Sequence, residues 1–337
     1  MISEPFGAFA CLSKYCLGSG VDLERYVSQI TTEELLGWLT LRFQVCPSAR
    51  SDARLLLAIS TQLPLDNQDI LKRVSLCISC WLPTILRVAE KCNSTDLSLL
   101  FSCHDLGDPF ALSMDSETWN NLIPDLYSAT YAVHHSLQPL PSFNQFKCDY
   151  QAKTPIAFWR GSSTGSQSSS LDELMENPRV KICVRQIPSE YTDMKITRIV
   201  QVVPEIEVAS EGLLRQHGIL GSHVDEKSFG GYRFYLDLPG NACAWGSFMK
   251  YLQGCLVLRP QTGRNLLYYE YTKPWYHYIP LEADCSDLDE KIGWCLRNSA
   301  KSMDIAYRGL VLMSQYLHMI PQLTERAVAK WIQASSP

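Results

Sequence analysis

The chain has 337 residues, 46% hydrophobic and 19% charged. At roughly 150 residues per domain that suggests two domains and a sizeable core, and it excludes a disordered, fibrous or disulfide-built chain. Thirty Lys and Arg against 35 Asp and Glu leave a net charge of −5, and without a Lys/Arg block nothing points electrostatically to nucleic acid or an anionic membrane.

Thirteen cysteines are scattered irregularly from Cys11 to Cys295, an odd number that reads as reduced, buried thiols. Near the start, Glu4 stands where a secretory signal carries positive charge, and Lys14 interrupts the apolar run. The longest uncharged apolar stretch, Ser75 to Leu86, is shorter than the roughly 18 residues of a membrane span and contains Pro83. These features predict a cytoplasmic protein with no transmembrane segment.

In chain order, Thr32 with Glu33 and Glu34 opens a predicted helix carrying Leu35, Trp38, Leu39 and Leu41 on one face. Asp66 and Asp69 precede a second, with Ile70, Val74, Cys77, Ile78 and Trp81 at spacings of three and four. After the turn-like Asn93 to Asp96, Leu97 to Cys103 has the length and composition of a buried strand, which stops at His104-Asp105-Leu106-Gly107-Asp108-Pro109. Ile123 to Val133 reads as a helix, and Pro139 to Phe146 as a linker. The expected domains are therefore a helix-rich N-terminal one over 1–145 and a second over 146–310. Helices over 311–337 would pack back on the first.

Beyond the linker, strands are predicted at Ile156 to Trp159, Val180 to Val184, Tyr232 to Leu236 and Leu256 to Leu258. Helices alternate with them: one opened by the capping-box pair Ser170 and Glu173, one over Trp245 to Leu252, one opened by Ser286 and Asp289. Two further helices, Ile305 to Tyr316 and Leu323 to Ile332, follow. This alternation implies an α/β fold with a parallel sheet covered on both faces.

Four segments carry candidate chemistry. In Leu236 to Leu252 a strand passes through a Gly-Asn turn into a helix, and the small residues Ala242, Cys243 and Ala244 would let a phosphate approach the backbone; an ordinary strand-to-helix turn reads the same way. Arg160, Gly161 and Ser162 begin a Ser-rich loop in which the guanidinium suits phosphate oxygens or a salt bridge. No Gly-Lys-Ser/Thr triplet follows, so it is not a P-loop. Asp105 at its strand end, with Asp108 beyond it, suits a general base or a turn cap. The aromatic run from Tyr268, with Trp275 and His277, suits stacking on a ligand or filling core. Metal sites are not expected: Cys77 and Cys80 lack a second CxxC, His134 and His135 point apart, and Asp287-Leu-Asp289 suits a helix cap.

The segments AFWRGSST, LDLPGNACAWGSFMKYLQGCLVLRP and TKPWYHYIPLEADCSDLDEKIGWCLRN, in that order and spacing, resemble the family 90 glycosyltransferases, the capsule-associated-protein type that includes Rumi-like protein O-glucosyltransferases. The resemblance covers about half the chain, roughly Ala157 to Gly309. It implies a GT-B-like architecture: two Rossmann-like domains facing a cleft, with nucleotide-sugar binding on the second. It further implies inverting transfer of glucose, xylose or a similar sugar from a UDP-sugar to a hydroxyl of a glycan, lipid-linked glycan or protein, with no metal and no cofactor besides the donor. By position, Asp105 matches the general base, Arg160, Gly161 and Ser162 the donor-side loop, and Asn241, Ala242, Cys243, Ala244, Trp245 and Gly246 the diphosphate turn. Asp108, Trp275 and His277 would lie near the cleft. The sequence departs from the family at two positions that usually carry arginine, here Ser163 and Gly246. Arg179, Arg233 and Lys250 are the cations available to replace them, and a catalytically degenerate, glycan- or protein-binding member is the alternative reading.

Overall fold

The computed structural model describes residues 27–32, 39–45, 55–61, 68–92, 98–108 and 110–335. The expectations placed on Glu4, Lys14, Glu33 to Trp38, Asp66, Asn93 to Asp96 and Pro109 lie outside them. The chain divides into two compact units. One comprises residues 1–136, 264–267 and 317–337, the other 137–263 and 268–316.

Unit 1 contains strands β1 (Val27–Thr32), β2 (Leu39–Val45), β3 (Leu55–Thr61) and β4 (Ser98–Ser102), in the order β1-β3-β2-β4. β1 runs parallel to β3, and β2 is antiparallel to both β3 and β4. The helix expected through Leu39 and Leu41 is thus a strand. Leu39, Leu41, Phe43 and Val45 alternate with Thr40, Arg42 and Gln44, and this period of two decides the local structure. Helix α1 (Gln68–Cys92) follows the expected apolar spacing, and its Trp81 stacks on Phe101 of β4 with ring centroids 4.9 Å apart. Helix α2 (Leu126–His134) is capped by Asp125, which accepts from the Ser128 amide.

Unit 2 is built on a five-stranded sheet, every pair in it parallel: β5 (Thr154–Ser162), β6 (Thr192–Arg198), β7 (Tyr232–Leu236), β8 (Leu256–Pro260) and β9 (Ile279–Leu281), in the order β6-β5-β7-β8-β9. β8 is buried along its whole length, as a strand covered on both faces is. The helices are α3 (Phe143–Ala152), α4 (Leu171–Glu176), α5 (Pro178–Arg185), α6 (Glu207–Gln216), α7 (Ser247–Leu252), α8 (Leu288–Arg297) and α9 (Ser299–Ser335), the last running into unit 1 from residue 317.

Several sequence expectations are corrected here. Val180 to Val184 is helix: Asn177 caps it by accepting from the amides of Arg179 and Val180, Pro178 takes the first turn, and Val180 and Cys183 are buried at helical spacing. The second strand is β6 instead, where Met194 and Ile196 alternate inward. Part of the expected linker is α3, opened by Ser142 and packed through Phe146 and Tyr150. Helix α8 begins without a side-chain cap; the Ser286 amide donates to Asp284, and Asp287 accepts from the Glu282 amide. The two C-terminal helices are one, because buried Met313, Tyr316, Leu317, Ile320 and Leu323 keep helical spacing across Pro321. Among the described residues no helix is long and apolar enough to cross a membrane.

Candidate functional site

The winding of the unit 2 sheet selects a location. From β5 the chain moves outward to β6, then returns across β5 to β7 and continues to β8 and β9. The direction therefore reverses between β5 and β7, and open α/β sheets bind ligands outside the carboxyl ends of the strands at such a switch point. The two loops that leave there begin at Ser163 and Asp237, so the Arg160-Gly161-Ser162 segment and the 237–246 turn, 75 or more residues apart in sequence, flank one crevice.

Arg179 joins them. Its Nε and Nη2 donate to the carbonyls of Pro239 and Leu238, each at 2.8 Å, while Nη1 donates to the Ser162 carbonyl at 3.1 Å and Thr164 Oγ1 at 2.7 Å. Asn241 adds a second tie, its Oδ1 accepting from the Gly165 amide at 3.1 Å. Within the turn, the amides of Asn241, Ala242, Ala244 and Gly246 donate to no group of the described chain, which leaves them available to an anionic ligand. Asp237 anchors the turn from below: its buried carboxylate accepts from Ser247 Oγ at 2.5 Å and Tyr269 OH at 3.1 Å. Burial raises the pKa of this carboxyl, against the pull of those donors. Neither Asp237 nor the four-way role of Arg179 was marked by a motif. Arg179 entered the sequence analysis only as one of three cations available to replace the family's arginines, not as a tie between the two loops.

Arg160 does not extend freely. Its guanidinium lies 4.2 Å over the Phe158 ring and bonds Asp193, through the carboxylate at 2.8 Å and the backbone carbonyl at 2.9 Å. Gly161 is required by packing, since a Cβ there would come within 2.5 Å of the Trp159 ring. Ser163 is buried, exchanging hydrogen bonds with the Val200 amide and carbonyl at 2.9 Å each. Arg233 donates to the carbonyls of Tyr150 and Gln151. Beside the crevice is a cavity of about 560 Å³, lined among others by Arg160, Gly161, Ser162, Arg198 and Lys250. Cys243 and Trp245 are buried within the turn.

In unit 1, Asp105 follows β4 and pairs with Arg73 Nη2 at 2.6 Å. It does not cap the turn. That task falls to His104, whose Nδ1 accepts from the Leu106 amide and whose carbonyl accepts from the Gly107 amide, with Gly107 at φ +67°. The Asp105 side chain keeps 35% of its surface exposed, so its carboxylate is reachable. Asp108 closes its own turn, accepting from the Phe110 amide at 2.8 Å.

The aromatic run divides. His277 is buried, its Nδ1 accepts from the Lys273 amide at 3.0 Å, and burial lowers its pKa to about 4, so it is a neutral structural acceptor. Trp275, at φ +60°, is exposed and lies edge-on to Trp294 at 5.0 Å. Among the described residues no group of three His, Cys, Asp or Glu side chains could hold a metal ion. Cys80 pairs with Thr130 at 3.2 Å, and Asp289 accepts from Ser189 at 2.8 Å.

Comparison with known proteins identifies the same part of the chain. The model of Glycosyl transferase family 90 matches residues 134–321. The chain is 28% identical over 177 residues to Uncharacterized protein 027R of Frog virus 3 (isolate Goorha), covering 48% of this chain and 18% of that protein. It is 25% identical over 171 residues to Protein O-glucosyltransferase 1 of Rattus norvegicus, covering 50% of this chain and 39% of the relative. It thus spans well under half the length of either. Among solved structures, Anabaena HepE in complex with UDP-glucose aligns with a TM-score of 0.35 at 11% identity, over 62% of this chain and 61% of that one. The C-terminal domain of the glycosyl transferase group 1 family protein LpcC from Francisella tularensis aligns with a TM-score of 0.30 at 12% identity, over 53% and 94%.

Proposed function

The chain belongs to glycosyl transferase family 90, and from that membership we propose that it transfers a sugar, glucose or xylose by the family resemblance, from a UDP-sugar to a hydroxyl acceptor. The observation that carries this reading is the convergence of the Arg160-Gly161-Ser162 loop and the 237–246 turn on one switch-point crevice, tied by Arg179, with unbonded amides in the turn. Those amides would receive the diphosphate, and as UDP departs they would stabilise the charge that develops on it.

In this reading Asp105 is the general base. As the acceptor oxygen attacks the anomeric carbon, its proton passes to the Asp105 carboxylate. The bond from that carbon to the diphosphate oxygen breaks, and the bonding pair leaves with UDP. A single displacement of this kind inverts the anomeric centre. The charge stabilisation comes from amides and side chains, so the reaction is proposed to need no metal. The acceptor is a hydroxyl of a glycan, a lipid-linked glycan or a protein. The compartment proposed is the cytoplasm, where buried cysteines such as Cys77, Cys183, Cys255 and Cys295 stay reduced.

The test is calorimetric titration with UDP alongside a turnover assay on UDP-sugars, with and without chelator. Asp105→Asn is expected to keep UDP binding and lose roughly 10²–10⁴-fold in turnover; full turnover in that variant rules out the base. A strict need for manganese overturns the metal-free mechanism. A second reading, a binding-only member, is favoured by the commitment of Arg160 to Asp193. UDP release above the Asp105→Asn background removes it.

A further inference from the structure

Lys250 is the most deeply buried cation of the cavity beside the crevice. Its side chain is 6% exposed, yet it lines the open space along with Arg160, Arg198 and His223. The ammonium sits 4.3 Å above the Phe229 ring and 5.1 Å from the Tyr235 ring, positions that favour a cation. Its carboxylate partner among the described residues is Glu226, at 2.6 Å, whose own side chain is 44% exposed.

The charges around this space do not balance. Arg160 is matched by Asp193 and Lys250 by Glu226, whereas Arg198 has no ion pair among the described residues. Glu226 is also the member of the buried pair that solvent already reaches. An anion entering the cavity can replace it at the ammonium without leaving a charge buried and unpaired, whereas removal of Lys250 itself would vacate the site. The position of the ammonium ties it to the turn: a Cβ at Gly246 would lie 3.7 Å from Lys250 Nζ, with nothing nearer. The absence of a side chain at 246 therefore leaves the ammonium uncovered on the side that faces that residue.

Building on the UDP-sugar reading above, we propose that this cavity takes the diphosphate of the donor, with Lys250 as the buried cation that binds it and Glu226 as the carboxylate it displaces. Lys250 then supplies from α7 a positive charge that neither Ser163 nor Gly246 can provide. Glu226 acts as an internal competitor that holds the ammonium in place while the site is empty.

The experiment is titration of the full chain with UDP, UMP and uridine, comparing wild type, Lys250→Met and Glu226→Gln. Lys250→Met is expected to weaken UDP binding by about tenfold or more while leaving uridine affinity nearly unchanged. Glu226→Gln is expected to tighten UDP binding several-fold, because the competing charge is gone. Wild-type affinity for UDP in both variants overturns the assignment of Lys250 while leaving the donor reading intact. Failure of the wild type to bind UDP at all overturns the donor reading, and the assignment with it. Should Lys250→Met lose its native near-UV signature, Glu226→Gln alone decides: unchanged or weaker UDP binding there refutes the competitor role.

Discussion

The guanidinium of Arg264 meets the carboxylate of Asp115, a side chain with no solvent exposure, from 149 positions away in the sequence. The same guanidinium donates to the carbonyl of Leu106, next to Asp105. The adjacent backbones exchange bonds as well, Ser116 N to Asn265 O at 3.1 Å and Asn265 N to Ser116 O at 2.8 Å. Residues 264–267, although inserted between β8 and β9, thus belong to unit 1 and support the loop that carries the proposed base.

Arg264→Met should therefore lower the unfolding free energy in urea titration, by up to about 3–5 kcal/mol, since it takes the guanidinium away from a buried carboxylate. Combining it with Asp115→Asn should recover most of that loss. The pair with Glu117, whose side chain is 78% exposed, contributes little, and Glu117→Gln should shift stability by less than about 0.5 kcal/mol.

Arg179 makes four hydrogen bonds from one planar group, to two loops at once. Lysine carries the charge without the fork and cannot reproduce them. Arg179→Lys is expected to leave the sheet folded while the backbone amides around Gly165 and Gly240 exchange with solvent at least tenfold faster. UDP affinity should fall with it. Unchanged exchange would mean the loops hold together without the clamp.

Two buried groups give opposite pH responses, one in each unit. Burial raises Asp125 to about 6 from 3.8, so its contribution to stability is present at low pH and is lost as pH rises through that window. Burial lowers His277 to about 4 from 6.5, so its contribution is present at neutral pH and is lost as pH falls through that window. Each is worth roughly 3 kcal/mol at full extent. Relative to wild type, Asp125→Asn should gain stability between pH 4 and 7, and His277→Asn should lose it. Denaturation of the three proteins across that range checks both signs.

Much of unit 2 was legible in the sequence because its signals are local. Tyr232 to Leu236 and Leu256 to Leu258 are apolar runs of strand length, and Ser170 with Glu173 marks a helix start that the structure keeps, Ser170 accepting from the Glu173 amide at 3.2 Å. Val180 to Val184 misled because its β-branched composition outweighed the cap at Asn177 and the proline after it. Leu39 to Val45 misled because a helix-like spacing of its first leucines hid the alternation further along. The Arg179 clamp, the anchor at Asp237 and the Arg264 contact were out of reach for a different reason. Each joins residues far apart in the chain through long or buried polar side chains, and no short-range pattern encodes such a meeting.

The contact between Trp159 and Gly161 changes what the Arg-Gly-Ser segment signifies. The indole occupies the space that any side chain at 161 would need, so the glycine is demanded by the tryptophan two residues before it, whatever is bound nearby. A descendant that abandoned catalysis but kept its sheet would still retain this glycine for as long as it retained the tryptophan. Inheritance of the two residues should therefore be linked, and the segment traces ancestry of the scaffold. Divergence in chemistry should be sought at positions that packing leaves free to vary, such as Gly246.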